Sequence, residues 1–217
     1  MHEPFQFYNC YIQTEYAGVK ASDINDFLEE LKFIQPDSIF YHITRPLLAH
    51  DFLQSAYWND FSVWIWQRYG SQILAEEINS IEYTSLETIE DIRSTIVDLI
   101  QNYISDIQKV DHQEKFYFYF CRPRVFINKL DHVIYTLDDF KHKIKSIPES
   151  SMYYHLLITR WLFSAVDKQD SDFSSWIRNS LNNPDLADLI NNINPYLSDI
   201  EDYKQKLFTV ITEYEGE

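Results

Sequence analysis

Apolar residues along most of this chain recur every three or four positions, the spacing that lines one face of an α-helix. The longest such segment begins near Thr84 and continues past Tyr103. Two short aromatic runs, Phe5–Ile12 and Phe116–Ile127, alternate in part with polar residues in the manner of a β-strand. The pattern predicts a mainly α fold with a short strand element in each half of the chain.

Polar residues mark where several helices should begin and end. Capping boxes are expected at Thr84–Glu87 and Thr136–Asp139, where a threonine precedes an acidic residue by three positions. A helix is expected from about Asn59 to Tyr69, because Asn and Asp favour helix starts and Gly70 suits a helix end. We therefore expect several short, capped helices in each half.

The two halves of the chain repeat one pattern in the same order, at a shift of 111 to 113 positions. A repeat of this period is close to a whole small domain and much longer than a solenoid unit. We therefore predict two tandem homologous helical domains, residues 1–108 and 109–217, related by pseudo-two-fold symmetry. The matched positions include Cys10 and Cys121, Tyr41-His42 and Tyr154-His155, Asp60-Phe61 and Asp172-Phe173, and Trp64 and Trp176.

The chain is acidic, with a formal net charge of −16. The imbalance is uneven, since residues 1–108 hold 17 acidic and 5 basic side chains and residues 109–217 hold 17 and 13. A negative field opposes direct binding to a nucleic-acid backbone. The charge predicts a protein partner, with a basic one favoured.

Composition also limits the classes of ligand and the cellular location that we expect for the protein. Only three glycines occur, which leaves little room for Gly-rich phosphate loops. No apolar run approaches the roughly 18 residues that span a bilayer, so we expect no membrane partner. Cys10 and Cys121 lie outside any Cys-x-x-Cys motif, and we expect a cytoplasmic location. They are either buried thiols or a pair that meets across the symmetry axis as a disulfide or shared metal site.

His42 with Asp60, and His155 with Asp172, form the best candidate polar clusters, because both pairs occur in both halves. Each Asp lies where a helix takes an N-cap, and a buried His–Asp link would join elements and fix one tautomer. The alternative is a general base oriented by Asp, but no activated nucleophile accompanies it. Metal-ligand spacings are missing as well. We predict no catalytic residue, no metal and no cofactor.

Arg45 and Asn59 complete the candidate cluster of the first half. Arg45, like Arg160, follows a threonine, and it either binds an anionic ligand or forms a salt bridge to an acidic helix end. The aromatic residues Tyr57, Trp58 and Trp66 have no aromatic counterpart in the second half. A ring present in one copy alone is not required by the fold, so we predict an interaction surface there.

The first copy, about residues 5–104, contains an ordered series of short motifs. They are Phe-x-Phe, Gly18-x-Lys20-Ala21, Ser38-Ile39-x-Tyr41-His42, Asn59-Asp60-Phe61-x-x-Trp64-Ile65 and Leu74-Ala75-Glu76. This pattern resembles a bacterial and archaeal domain family of unknown function. The second copy departs from the pattern, because it lacks the Gly-x-Lys-Ala segment and has Ser171 where the first has Asn59. The resemblance implies no reaction, and any site of the family at those positions would be lost from the second copy.

Three functions remain open from the sequence. The first is a non-enzymatic cytoplasmic interaction or adaptor protein that binds a partner mainly through its acidic first repeat. The second is an enzyme or sensor that binds a small molecule or metal around His42, Arg45, Asn59 and Asp60. The third is an acidic mimic of nucleic acid, which would require carboxylates aligned on one exposed face.

Overall fold

Two long strands pair to form one antiparallel two-stranded sheet. The computed structural model describes residues 3–48, 57–107, 116–162, 170–195 and 199–216. Strand β1 is Phe5–Ala21 and strand β2 is Phe118–Ile134, each of 17 residues. Both continue well past the aromatic runs seen in the sequence. Their outer parts carry few aromatic side chains, so the aromatic pattern did not reveal them.

The chain divides into two compact units, and each is discontinuous in sequence. One unit, here the α1–α5 unit, is Gln13–Arg124, and the other, the α6–α11 unit, combines Met1–Ile12 with Val125–Glu217. Both division points fall inside a strand, so each unit contains part of β1 and part of β2.

The predicted fold class, mainly α with two tandem homologous helical domains related by pseudo-two-fold symmetry, is therefore wrong. The protein is 62% helical and mixed α/β, and the described residues form one antiparallel sheet of two strands. The aromatic start of β1 is buried among helices from the second half of the sequence, and the start of β2 among helices from the first half. The prediction assigned each strand to the helices that follow it, because consecutive elements are usually neighbours. The repeat boundary at residues 108 and 109 remains a prediction.

The α1–α5 unit contains helices α1 (Ile24–Phe33), α2 (Pro36–Leu48), α3 (Asp60–Tyr69), α4 (Gln72–Asn79) and α5 (Ile89–Ile107). The predicted limits of α3 are confirmed, with Asn59 as N-cap and Gly70 in the left-handed conformation at φ 62°. The predicted capping box at Thr84 is wrong. A 3₁₀ turn covers Tyr83–Ser85, and the reciprocal capping bonds join Thr88 and Asp91 instead.

The α6–α11 unit contains α6 (Leu137–Ile144), α7 (Glu149–Tyr153), α8 (Thr159–Leu162), α9 (Asp172–Asn179), α10 (Pro184–Asn191) and α11 (Ile200–Gly216). The capping box at Thr136–Asp139 is confirmed. A π-helical turn, Tyr154–Ile158, joins α7 to α8. No helix in these described stretches or in those of the α1–α5 unit has the length and apolar character needed to cross a membrane.

Each unit has an aromatic core in which strand and helix rings meet. In the α1–α5 unit the rings of Phe27 and Phe120 stack at 5.5 Å, and Phe61 lies 5.5 Å from Phe118. In the α6–α11 unit the ring of Phe5 lies 5.4 Å from that of Phe173. Large buried rings remove much apolar area from water, and these contacts hold the strand ends on their helices.

Candidate functional site

His42, in the first two turns of α2, connects three elements of the α1–α5 unit. Its Nδ1 lies 2.8 Å from Oδ2 of Asp60, and its Nε2 accepts a hydrogen bond of 2.9 Å from the backbone N–H of Cys121. The ring is 3% exposed and packs against Phe61 and Phe118. His42 therefore links α2 to the start of α3 and to β2.

The two partners of His42 determine where its proton lies. A backbone N–H can only donate, so Nε2 presents its lone pair and Nδ1 carries the proton that is donated to Asp60. Burial lowers the pKa of His42, and the bond to Asp60 opposes that shift without cancelling it. The imidazole is held neutral and in one tautomer.

Asp60 is held ionised by donors on two sides. Burial alone would raise the pKa of Asp60, but hydrogen bonds from His42 and Arg45 outweigh it and the pKa is lowered. Arg45 binds both carboxylate oxygens, with Nε 2.8 Å from Oδ2 and Nη2 2.6 Å from Oδ1. The predicted salt bridge of Arg45 to an acidic helix end is therefore present, since Asp60 is in the first turn of α3.

The α6–α11 unit contains the same arrangement around His155. Its Nδ1 lies 2.8 Å from Oδ2 of Asp172, and its Nε2 accepts a bond of 3.0 Å from the backbone N–H of Tyr8. The hydroxyl of Ser151 donates to the carbonyl of Tyr8 at 2.6 Å, so both backbone groups of this strand residue are satisfied. Burial lowers the pKa of His155 as well, against the effect of Asp172. The guanidinium of Arg160 lies 4.9 Å from the ring of Trp161.

The capping oxygens of the two helices come from a different residue than expected. Asn59 and Ser171 are the N-caps of α3 and α9, and each accepts from the amide three residues further on. Asp60 and Asp172 are the first helical residues, so their carboxylates remain available for the histidines. A carboxylate in the first turn is also favoured by the helix dipole.

This geometry supports a structural role for both histidines. A general base or a metal ligand needs an imidazole nitrogen with a free lone pair directed at a substrate or ion. In both His42 and His155 one nitrogen is bonded to a carboxylate and the other to a strand amide. Within the residues that the structure describes, no group of three or more His, Cys, Asp or Glu side chains is placed to hold a metal.

Two buried cations were not identified from the sequence. In the α1–α5 unit Arg93 is 8% exposed, donates to the carbonyl of Ile34 at 2.7 Å and pairs with Glu90. In the α6–α11 unit Lys204 is 5% exposed and donates to the carbonyl of Ile147 at 3.0 Å. Both lie in the long last helix of their unit, three residues after a glutamate, and that spacing was the available signal.

Both cysteines are free thiols. Cys10 is buried in the α6–α11 unit, where its Sγ donates to the carbonyl of Ser150 at 3.4 Å and burial raises its pKa to about 11. Burial also raises the pKa of Cys121. Raised pKa values are typical of packed thiols and unlike those of activated nucleophiles.

The predicted aromatic surface has an exposed and a buried part. Trp66 on α3 is 48% exposed and Trp58 is 39% exposed, whereas Tyr57 is buried. The rings of Tyr57 and Trp66 lie 6.1 Å apart, and the backbone N–H of Trp58 donates to the side chain of Asn79 at 2.6 Å. The buried ring of Tyr57 thus contacts the exposed Trp66, and the exposed Trp58 follows Tyr57 directly in the chain.

A groove that sequence reasoning missed also lies in the α1–α5 unit. It has a volume of about 240 Å³ and lies between β1, Arg122 of β2 and the turn from α1 to α2. Ala17, Val19 and Phe33 supply apolar walls, and the start of α2 supplies polar ones. No linear motif joins these positions, because they come from three separate segments.

Comparison with known proteins gives a family and a fold. A family model described as "Family of unknown function (DUF5752)" matches residues 2–212. A solved structure, "The structure of OrfY from Thermoproteus tenax", superimposes with a TM-score of 0.85 over 99% of this chain and 97% of that chain, at 22% identity. At that identity the likeness concerns the fold alone. No curated protein matches the chain.

Proposed function

Since this chain belongs to the family of unknown function DUF5752, whose description names no reaction, we propose from the geometry of its own residues that it is a non-enzymatic protein-interaction protein. The relationship to a family of unknown function predicted from the sequence is confirmed. The observation that carries the proposal is the complete engagement of both ring nitrogens of His42 and of His155. Both histidines thus connect helices to a strand, and neither has a nitrogen left to act on a substrate.

The interaction surface that we propose is the patch of Trp58 and Trp66. Tryptophan is enriched at the energetic centres of interfaces, where a large ring is desolvated on binding. A pair of half-exposed rings supported by a buried Tyr57 is costly to leave in water. The pKa of Tyr57 is raised by burial and then by Glu76, which places a carboxylate close to the patch.

The acidic charge is spread over both structural units and is not concentrated in one of them. Counted by structural unit, Gln13–Arg124 holds 18 acidic and 9 basic residues, and the other unit holds 16 and 9. The asymmetry between sequence halves largely disappears, because Arg122 and Arg124 belong to the α1–α5 unit. A basic partner is still favoured by the overall charge of −16.

We place the protein in the cytoplasm as part of the same proposal. The support is chemical, since Cys10 and Cys121 are both free thiols. Reducing compartments keep thiols in that state, whereas secreted proteins of modest size commonly use disulfides.

Photo-crosslinking in the native host tests the proposed function. A photoreactive phenylalanine analogue would replace Trp66 in one strain and Leu189 in another, and Leu189 is a matched exposed apolar residue on α10. We expect one defined protein adduct at Trp66, its loss when Trp58 is changed to Ala, and none at Leu189. Adducts of equal yield at both positions, or none at Trp66, would contradict the proposal.

A further inference from the structure

The groove beside the start of α2 contains polar atoms that the fold itself does not satisfy. The hydroxyl of Ser38 is fully buried, and the Oδ1 atom of Asp37 is also buried. Neither atom has a hydrogen-bond partner among the residues that the structure describes. Buried polar atoms are nearly always bonded in native proteins, so each such case requires a cause.

A serine at the same spacing from the buried histidine of the other unit forms a hydrogen bond that Ser38 does not form. Ser151 lies four residues before His155, as Ser38 lies four before His42, and its hydroxyl donates to the strand carbonyl of Tyr8 at 2.6 Å. Ser38 lines the groove and makes no such bond within the described residues. Its hydroxyl is therefore left for a group that enters the groove.

The unsatisfied oxygen of Asp37 determines the chemistry of that group. An ionised carboxylate only accepts hydrogen bonds, so the occupant must donate. Glu30 also lines the groove, and Arg122 is paired with Glu15, with Nε 3.1 Å from Oε2, and is attracted more weakly by Asp37. The three carboxylates together outweigh this one guanidinium. The start of α2 adds roughly half a positive charge from the helix dipole. The local balance is still negative and favours a cation.

The walls and the volume of the groove limit the size and shape of the group that can enter it. Pockets for whole small molecules are roughly 300–1,000 Å³, and this groove of about 240 Å³ is smaller. Ala17 and Val19 are apolar, and the ring of Phe33 is 78% exposed. Lysine and arginine have an apolar stem that packs on such walls and a charged end that donates.

We propose that this groove receives a lysine or arginine side chain of the partner protein, with the stem along Val19 and Phe33 and the charged end donating to Asp37 and Ser38. This inference rests on the proposed function and adds the chemistry of the partner. Arginine is a common anchor in protein interfaces, where a buried charge must be fully paired.

A peptide titration tests the groove directly. The probe is a fluorescein-labelled peptide of four Gly-Arg repeats, with a peptide of four Gly-citrulline repeats as its uncharged match, followed by fluorescence polarisation. Asp37→Asn removes the groove carboxylate, and Asp98→Asn removes an equal charge from an exposed position on α5. We expect Asp37→Asn to weaken arginine-peptide binding roughly tenfold, as for loss of a hydrogen bond to a charged group, and Asp98→Asn to leave it nearly unchanged.

A second variant separates binding from folding. Ser38→Ala removes a hydroxyl that has no partner among the described residues, so the melting temperature should not fall while peptide affinity does. Equal weakening by Asp37→Asn and Asp98→Asn, or equal binding of the citrulline peptide, would overturn the inference in favour of general charge attraction. If the Trp66 adduct persists in the Asp37→Asn protein, the groove proposal fails and the proposed function stands.

Discussion

Replacing His42 by Phe tests whether its hydrogen bonds or its ring packing stabilise the α1–α5 unit. Phenylalanine keeps a ring beside Phe61 and Phe118 but removes both nitrogens. The amide of Cys121 would then lose its acceptor, at about 1–3 kcal/mol, and Asp60 would lose one charged hydrogen bond, at about 1.5–3 kcal/mol.

We expect His42→Phe to lower the free energy of unfolding by about 3–5 kcal/mol, because Arg45 still compensates Asp60. For a chain of this size that corresponds to a fall of roughly 10 °C in melting temperature. The assays are urea denaturation and thermal unfolding followed by circular dichroism. His142→Phe is the matched control, since His142 is 74% exposed on α6 and should change stability by less than about 0.5 kcal/mol.

The result that refutes this reasoning is a His42→Phe protein as stable as the wild type or more so. The ring would then be a packing element only, and the bonds to Asp60 and Cys121 would contribute nothing net. A ¹⁵N NMR spectrum of the imidazole gives an independent check. It should show a protonated Nδ1 and an unprotonated Nε2 for His42 at neutral pH.

Three further predictions follow from other residues. Burial lowers the pKa of both His42 and His155 below 6.5, so the unfolded chain binds more protons than the folded one. The free energy of unfolding should therefore fall as the pH drops below about 6.5, by up to about 1.4 kcal/mol per pH unit for each histidine, and a flat urea midpoint from pH 7.5 to 5.5 would contradict this. Arg93→Met should lower the free energy of unfolding, measured by urea denaturation, by about 2–4 kcal/mol because it leaves buried carbonyls unpaired. Arg122→Met, at a half-exposed position, should lower it by less than about 1 kcal/mol, and similar losses for both variants would refute the distinction. Cys10, with a pKa of about 11 against 9.0, should react with iodoacetamide about a hundredfold more slowly than an unperturbed thiol at pH 8, and mass spectrometry showing equal rates would contradict its burial.

The sequence predicted local features well where the signal was local. The limits of α3 follow from Asn59 and Gly70, whose side-chain oxygen and left-handed backbone act within one turn. The capping box at Thr136 was correct for the same reason. The prediction of a capping box at Thr84 was wrong because Thr88 also has an acidic residue three positions later. The capping bonds at the start of α5 join Thr88 and Asp91.

The architecture could not be read in this way, because it depends on pairing between distant segments. The parts of β1 and β2 beyond Ile12 and Ile127 contain few aromatic residues, and the strand prediction depended on aromatic runs, so the strand lengths were missed. The His42–Asp60 link was identified from sequence, but its third member was not. That member is the backbone amide of Cys121. Every residue except proline has such an amide, so the residue type does not indicate which amide binds the histidine.

The discontinuity of the two units has a consequence for synthesis on the ribosome. Phe5 and Phe7 emerge from the ribosome some 165 residues before Phe173, one of the rings that bury them. During that interval this aromatic segment stays unburied in the nascent chain. Truncation at residue 108 would likewise leave α1–α5 without Phe118 and Phe120, so neither half released alone would complete its core.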